Sequence, residues 1–381
     1  MSGTLAAIAG RRRWLGLDQR GWYLVAWGLT IVLFLANLLD SVQDWGAFGN
    51  HLWAHVWTLA WLSFATVRTR TVGVAQVTSF FFIGYFPVVA VTYVLAEPTE
   101  ILLGTGNFQT AFLVPLVEEV VKAVPLLAWG WLLSRRGVHA SVSDLLVLAF
   151  AVGAGFGVHE DILQVRNTAV AAFDGTGWGQ WFPSFFRPGG AFGVIAHAGW
   201  TLLVGTGIGV FLVHRRRPLM WIAAAVPLSV AVLDHMAVNW RGGGWFDGLL
   251  TFVVDGGQNA ARLVVLSIVV ALPHDAYVLW WVDRRDRLFP SQTPIVWLDA
   301  LLALTRGREG LQQLRRRLAY LRYRNAVHVD LYRLRSVGRP AGDRRAQVRT
   351  LAWLGERAGV AFTRPTPTPV ATAPPPPGSR P

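Results

Sequence analysis

The sequence predicts an all-α, polytopic membrane helix bundle of about eight transmembrane helices, followed by a basic cytoplasmic helical segment. Two observations predict this class. Of the 381 residues, 53% are hydrophobic and only 15% are charged, and the mean hydropathy is +0.40; this composition argues against a soluble globular enzyme. The apolar residues also fall in runs of about 20, the length that an α-helix needs to cross a bilayer.

The apolar runs divide the chain into four parts: a basic cytoplasmic N-terminus (1–20), a membrane domain (21–282), a basic cytoplasmic helical region (283–363) and a Pro-rich disordered tail (364–381). Within the membrane domain we predict spans near residues 21–39, 51–67, 72–95, 109–133, 143–165, 192–213, 218–240 and 259–282. Most arginines between spans fall on one side of this arrangement. Because Arg and Lys are biased toward cytoplasmic loops, we expect a multi-pass protein of the cell membrane with both termini in the cytoplasm.

The basic excess belongs to one segment. Residues 283–381 carry 19 arginines against seven acidic residues, a net charge of +12 out of +13 for the whole chain. Leucines at 311, 314, 318 and 321 repeat at helical spacing among these arginines. This pattern fits a helix lying on anionic lipid headgroups or an ordinary cytoplasmic helix hairpin. No nucleic-acid recognition motif accompanies the charge, so no nucleic-acid partner is expected.

Ionisable residues within the predicted spans are the strongest functional signal, because each one needs a partner or a role in an apolar medium. The only lysine of the chain, Lys122, lies in the fourth span with Glu118 and Glu119. The i,i+4 and i,i+3 spacings allow one carboxylate to pair with the ammonium, which leaves one glutamate over. This second carboxylate is suited to hold and transfer a proton near neutral pH.

The three following spans add further polar residues. The fifth carries Phe156 and Glu160 on one face, and the sixth carries His197 near its start. The seventh ends with His235 and Asn239 on one face. With cytoplasmic termini, all of these groups and the fourth-span glutamates lie in the outer half of the membrane. Polar residues with unrelated packing roles would lie at different depths in the membrane. The common depth therefore favours a single active site.

This set of residues suits peptide hydrolysis within the membrane. A glutamate would act as general base toward water, and histidine and asparagine side chains would stabilise the oxyanion. Other protease chemistries lack their motifs. The chain has no cysteine, no GxS serine site and no GxGD aspartate site, and His159-Glu160 is not continued to HExxH.

The ordered motifs Glu118-Glu119-x-x-Lys122, Phe156-x-x-x-Glu160, His197 and His235-x-x-x-Asn239 resemble those of PrsW-type intramembrane proteases. These proteases are distant relatives of the CAAX prenyl proteases and bacteriocin-processing enzymes. The resemblance covers residues 110–240.

The resemblance implies a glutamic-type protease without a cofactor that cleaves single-span membrane proteins such as anti-sigma factors. By position, Glu118 and Glu119 supply the base and its support, and Glu160 and His197 assist. His235 with Asn239 stabilises the oxyanion, and Lys122 and Phe156 give structural support.

Two alternatives stay open. The first is a zinc protease with His197, His235 and Glu160 as ligands, because imidazoles and carboxylates form such sites. The second is a proton-coupled transporter, because buried Glu, Lys and His also form proton relays. Separately, the aromatic loop at residues 178–186 lies beside the predicted site, where it would either gate the substrate or anchor the loop at the interface.

Overall fold

A computed structural model describes residues 19–42, 45–67, 69–103, 109–135, 140–167, 196–215, 217–240 and 260–286, together with isolated positions between 245 and 312. All regular structure in these ranges is helical, as the sequence predicts. The helices are α1 (Gln19–Ser41), α2 (Trp45–Ala65), α3 (Val74–Ile83), α4 (Val89–Leu103), α5 (Val114–Arg135), α6 (Val142–Asn167), α7 (Ala196–His214), α8 (Ile222–Asn239) and α9 (Ala260–Asp286).

Two π-helical turns interrupt this series. The turn Gly84–Val88 joins α3 and α4 without a break, and the turn Gln109–Leu113 leads directly into α5. With α3 and α4 joined, the described residues form eight continuous helices, each at the position of one predicted span. The π turns were not predicted, because single π turns leave no clear period in a sequence.

The protein is a multi-pass membrane protein. Within the part of the chain that the structure describes, five helices are long and apolar enough to cross a membrane: α1, the α3–α4 rod, α6, α7 and α8. The predicted fold class is thus confirmed as a polytopic helical membrane protein, with five spans supported by length and composition rather than eight. Helix α5 is not among the five, and it carries three ionisable side chains in its first half. The orientation across the membrane stays a prediction.

Helix α6 is the central helix of the bundle. Its apolar window is 94% buried, whereas that of α1 is 11% buried. Close approach depends on glycine: a Cβ on Gly155 would overlap the Phe81 carbonyl of α3, and one on Gly84 would overlap the Val152 carbonyl of α6. Because glycine allows backbones to touch, α3, α6 and α7 pack tightly around the polar residues described below.

Two buried aspartates fix the beginning of α6. Asp275 of α9 accepts hydrogen bonds from the backbone N–H of Val142 (3.1 Å) and Ser143 (2.7 Å), which have no partner within their own helix. Asp144 accepts hydrogen bonds from the backbone and hydroxyl of Thr71 in the segment before α3. These bonds fix α6 against α9 and α3 at the end opposite its glutamate.

Some of the predictions concern residues outside the described ranges. These are the gating loop at 178–186, most of the N-terminal segment 1–20, nearly all of the basic region 283–363, and the tail 364–381. They stay predictions.

The glycine contacts predict a strong effect of a single methyl group. We expect Gly155→Ala to lower the free energy of unfolding by about 3 kcal/mol, because the added carbon meets backbone that cannot move aside. Thermal unfolding of the purified protein in detergent measures this. Gly28→Ala is the matched control, because a Cβ there meets no atom within 4 Å. Equal stability of the two variants would contradict the packing described for α6.

Candidate active site

Four polar side chains from three helices converge on one point inside the bundle. Glu118 and Glu119 lie on α5, His197 on α7 and His235 on α8. One donor atom from each lies within 4.8 Å of the others, and all four residues are buried or nearly so. Residues up to 117 positions apart in the sequence therefore form a single cluster, which we call the Glu/His cluster.

Lys122 is the internal cation of the Glu/His cluster. Its Nζ lies 2.8 Å from Glu119 Oε1 and 3.4 Å from Glu118 Oε2, and it donates to His197 Nδ1 at 2.8 Å. The lysine is fully buried. An ammonium has only donors, so the contact to Nδ1 requires a lone pair on that nitrogen and puts the ring proton of neutral His197 on Nε2.

The other nitrogen of His197 faces a carboxylate. Glu160 Oε2 of α6 lies 2.6 Å from His197 Nε2, although the ring N–H does not point straight at this oxygen. The Glu160 side chain is 27% exposed, more than any other carboxylate in contact with the cluster. Glu160 thus lies on the outer side of His197, where it favours a proton on Nε2.

His235 is held in the same way by a different glutamate. Its Nδ1 lies 3.1 Å from Glu119 Oε1. Because an ionised carboxylate only accepts, His235 donates from Nδ1 and keeps a lone pair on Nε2. That Nε2 faces Glu118 Oε2 at 3.8 Å.

Three acceptor atoms consequently face one point: His197 Nδ1, His235 Nε2 and Glu118 Oε2. The oxygen lies 3.9 Å from the first nitrogen and 3.8 Å from the second. Zinc binds nitrogen and carboxylate oxygen at roughly 2.0–2.2 Å in tetrahedral geometry, which separates two ligands by roughly 3.3–3.5 Å. The two oxygen–nitrogen distances exceed this separation by about 0.5 Å, and the ligand atoms of the cluster all lie within 4.8 Å of one another.

The donor set fits a divalent metal ion. Two imidazoles and a carboxylate form a known type of catalytic zinc site, and each imidazole has a carboxylate on its other nitrogen, as metal-binding histidines commonly do. The Lys122 ammonium already contacts two of the three acceptor atoms, so it occupies the position that a metal ion would take. A metal ion would have to displace it.

The formal charges of the site also favour a divalent metal ion. Glu118, Glu119 and Glu160 contribute three negative charges and Lys122 contributes one positive charge, so with neutral imidazoles the net charge is −2. Such an excess is costly within a membrane helix bundle. A divalent cation or two additional protons would neutralise it.

One oxygen of Glu119 is available to accept a proton. Glu119 Oε2 is buried and accepts no hydrogen bond from the described residues. A buried carboxylate oxygen without a donor is costly, so a water molecule or a proton is expected there. Glu119 combines this open oxygen with a second one that is fixed by Lys122 and His235, the arrangement that a positioned base requires.

Phe156, predicted to support the site, and Asn239, predicted to stabilise the oxyanion, differ in their contacts. The ring of Phe156 lies beneath Lys122, with Nζ 4.0 Å from the ring centroid, and packs against the ring of His197. It thereby stabilises the ammonium by a cation–π interaction. Asn239 is half-buried one turn after His235 at the end of α8, and no hydrogen bond joins it to the described members of the cluster.

Two residues of the site were missed in the sequence. The Trp200 ring stacks on the His235 ring at 4.1 Å between centroids, and its Nε1 donates to Asp234 Oδ2 at 2.7 Å. Trp200 lies one turn after His197, and Asp234 directly precedes His235. Adjacency to a predicted histidine was the available signal. It does not reveal a contact between two helices.

A family model described as PrsW family intramembrane metalloprotease matches residues 66–272, which is more than half of the chain. The chain belongs to the PrsW family. The resemblance seen in the sequence is thereby confirmed, and this PrsW-family protein is an intramembrane protease. The matched region contains every member of the Glu/His cluster together with Lys122, Phe156 and Glu160. No curated protein and no solved structure matches the chain.

The charges of the cluster predict how it responds to loss of its lysine. We expect Lys122→Met to lower the free energy of unfolding by about 3 kcal/mol in the presence of a chelator, because two buried carboxylates lose their counter-charge. Adding Glu119→Gln should recover at least half of this loss, because it removes one of the two charges. Denaturant unfolding in detergent measures both. A double variant no more stable than the single one would contradict this account of the cluster.

Proposed function

We propose that this PrsW-family protein is a zinc-dependent intramembrane endopeptidase that hydrolyses a peptide bond of a single-span membrane protein near the outer leaflet. The observation that carries the proposal is the convergence of Glu118, His197 and His235 on one point within a buried cluster of net charge −2. The family description as a metalloprotease supports the same choice. The metal-dependent alternative is therefore preferred to the cofactor-free glutamic mechanism.

In this proposal Glu118, His197 and His235 hold the ion. This ligand set differs from the sequence-based alternative in one residue: Glu118 replaces Glu160. Glu160 faces His197 Nε2, on the far side of the ring from the point of convergence. It orients that histidine and keeps the proton on Nε2, so that Nδ1 remains available as a ligand atom.

A bound zinc ion supplies a Lewis acid that polarises the scissile carbonyl. Glu119 is the proposed general base. Its free oxygen accepts a proton from the attacking water as the new carbon–oxygen bond forms. The same proton then passes to the leaving nitrogen as the carbon–nitrogen bond breaks, so the step consumes one water molecule and returns Glu119 to its ionised form. His235 holds the other oxygen of Glu119 in place throughout.

The substrate class follows from the location of the site. The cluster lies among helices that are long and apolar enough to cross a membrane, and Glu160 and His197 retain partial exposure. A peptide bond that reaches them must itself enter the membrane, so a single-span protein with a locally unwound helix fits. The proposal also places both termini in the cytoplasm. It includes the binding of lipid headgroups by the basic region 283–363.

We expect the purified wild-type protein to bind about one zinc ion and to cleave some members of a library of single-span model substrates in liposomes. A zinc-selective chelator should abolish cleavage, and zinc should restore it. Glu119→Gln should lower kcat at least about 100-fold with zinc still bound, because it removes only the base. His235→Ala should lose both zinc and cleavage.

Glu97→Gln is the matched control, because Glu97 is exposed on α4 outside the cluster, and it should behave as wild type. Cleavage that persists in protein shown to be free of zinc would overturn the metal-dependent proposal and support the glutamic mechanism. Proton-linked flux across the liposome membrane without any proteolysis would support the transporter instead.

A further inference from the structure

One indole, two imidazoles and one carboxylate connect α7 to α8 beside the cluster. His197 and Trp200 lie one turn apart on α7, and Asp234 and His235 are neighbours on α8. The His197 ring meets the Trp200 ring and the His235 ring edge-on, with centroids 5.1 Å and 4.9 Å apart. The stacked Trp200–His235 pair completes a compact group of three rings.

Trp200 is fixed more firmly than packing alone would fix it. It is 1% exposed, and its N–H is bound to a carboxylate of a fully buried aspartate. A buried N–H without an acceptor is costly, so this hydrogen bond favours one position of the indole. This bond sets the rotation of the indole, and the indole lies nearly parallel to the imidazole, at 18°.

The stacking of Trp200 on His235 controls the orientation of the His235 ring. One ring nitrogen must face Glu119 and the other must face Glu118 for the three acceptor atoms to converge. Rotation of the ring about its bond to Cβ would break both contacts at once. The Glu119 contact fixes only one edge of the ring, whereas a flat indole against its face fixes the plane.

We propose that Asp234 and Trp200 form a positioning pair that holds the ring plane of His235 and so aligns Nε2 as a ligand atom. This inference rests on the proposed function for its consequence, zinc affinity, but the contacts of Trp200 with His235 and Asp234 lie within the chain itself. Neither residue touches the reacting atoms in this assignment. Both act through His235.

Four variants separate the hydrogen bond from the ring. Trp200→Phe keeps a flat ring and removes the N–H, and Asp234→Leu removes the acceptor. Asp234→Asn keeps an acceptor oxygen for the indole. The double variant Trp200→Phe/Asp234→Leu removes both partners and leaves no unpaired carboxylate. Trp61→Phe is the matched control, because Trp61 is 41% exposed on α2, away from the cluster.

Zinc affinity is measured in detergent by competition with a fluorescent chelator, and cleavage gives kcat and KM separately. We expect Trp200→Phe and Asp234→Leu each to weaken zinc binding about tenfold or more, as is typical for loss of an outer-shell partner, and to lower kcat more than they raise KM. Asp234→Asn should stay within about twofold of wild type. The double variant should be no weaker than the worse single variant, because the two residues act as a unit.

A third measurement does not depend on zinc. The ¹⁵N spectrum of histidine-labelled, metal-free protein, with His235 assigned by its loss in His235→Gln, reports the ring tautomer. We expect a single tautomer protonated on Nδ1 in the wild type and in Asp234→Asn, and mixed tautomers in Asp234→Leu. If the wild type bound no zinc, the proposed function would fail while this spectrum would still test the positioning pair.

Three results would overturn the inference. The first is an unchanged His235 spectrum in Asp234→Leu. The second is additive losses of zinc affinity in the double variant, which would indicate two independent effects. The third is a loss of thermal stability in Trp200→Phe with zinc affinity equal to that of Trp61→Phe, which would indicate a packing role only.

Discussion

Charge compensation in an apolar medium is the constraint on which the rest of this structure depends. Helix α5 carries two adjacent glutamates and the single lysine of the chain within five residues, and the bundle buries all three. A buried charge must be paired or must bind an ion. Two features of the site follow from this need: His197 and Phe156 contact Lys122, and the net negative charge favours a divalent cation.

The bundle meets this requirement by bringing helices unusually close. Small residues on α6 let α3 and α7 contact its backbone, as Gly153 and Gly155 illustrate. This packing brings His197 of α7 to within hydrogen-bond distance of Lys122. The hydrogen bonds that Asp275 accepts from Val142 and that Asp144 accepts from Thr71 fix α6 at its other end. The position of the site is therefore set by contacts along the whole length of α6.

The distribution of contacts assigns different roles to chemically similar residues. Glu118, Glu119 and Glu160 are all glutamates near one another, yet each faces a different partner. Glu118 faces both inward nitrogens, Glu119 combines a fixed oxygen with an open one, and Glu160 contacts the outer nitrogen of His197. In the proposed mechanism the environment rather than the residue type separates ligand, base and orienting group, a general feature of sites with several carboxylates.

Much of this arrangement could be predicted from the sequence. Hydrophobic periodicity located eight helices, because an apolar run of about 20 residues has few alternatives to a helix in a membrane. The cost of burying charge identified Glu118, Glu119 and Lys122, because an ionisable side chain inside a span is rare unless it has a partner or a function. The motif spacing then led to Glu160, His197 and His235.

The remainder depends on how helices rotate against one another, which spacing does not encode. Glu160 was a candidate ligand until its position on the far side of His197 was known. Trp200 and Asp234 are ordinary residues for an apolar helix and its end, and only their contact across two helices reveals a role. The open oxygen of Glu119 likewise follows from three-dimensional packing alone.

X-ray absorption at the zinc K-edge of the zinc-loaded protein tests the central claim most directly. The account predicts multiple-scattering features of two imidazole rings together with oxygen ligands at roughly 2.0–2.2 Å. In His197→Ala the contribution should fall to one ring. A zinc environment without imidazole scattering, or one unchanged by His197→Ala, would contradict the claim that Glu118, His197 and His235 converge on a single ion.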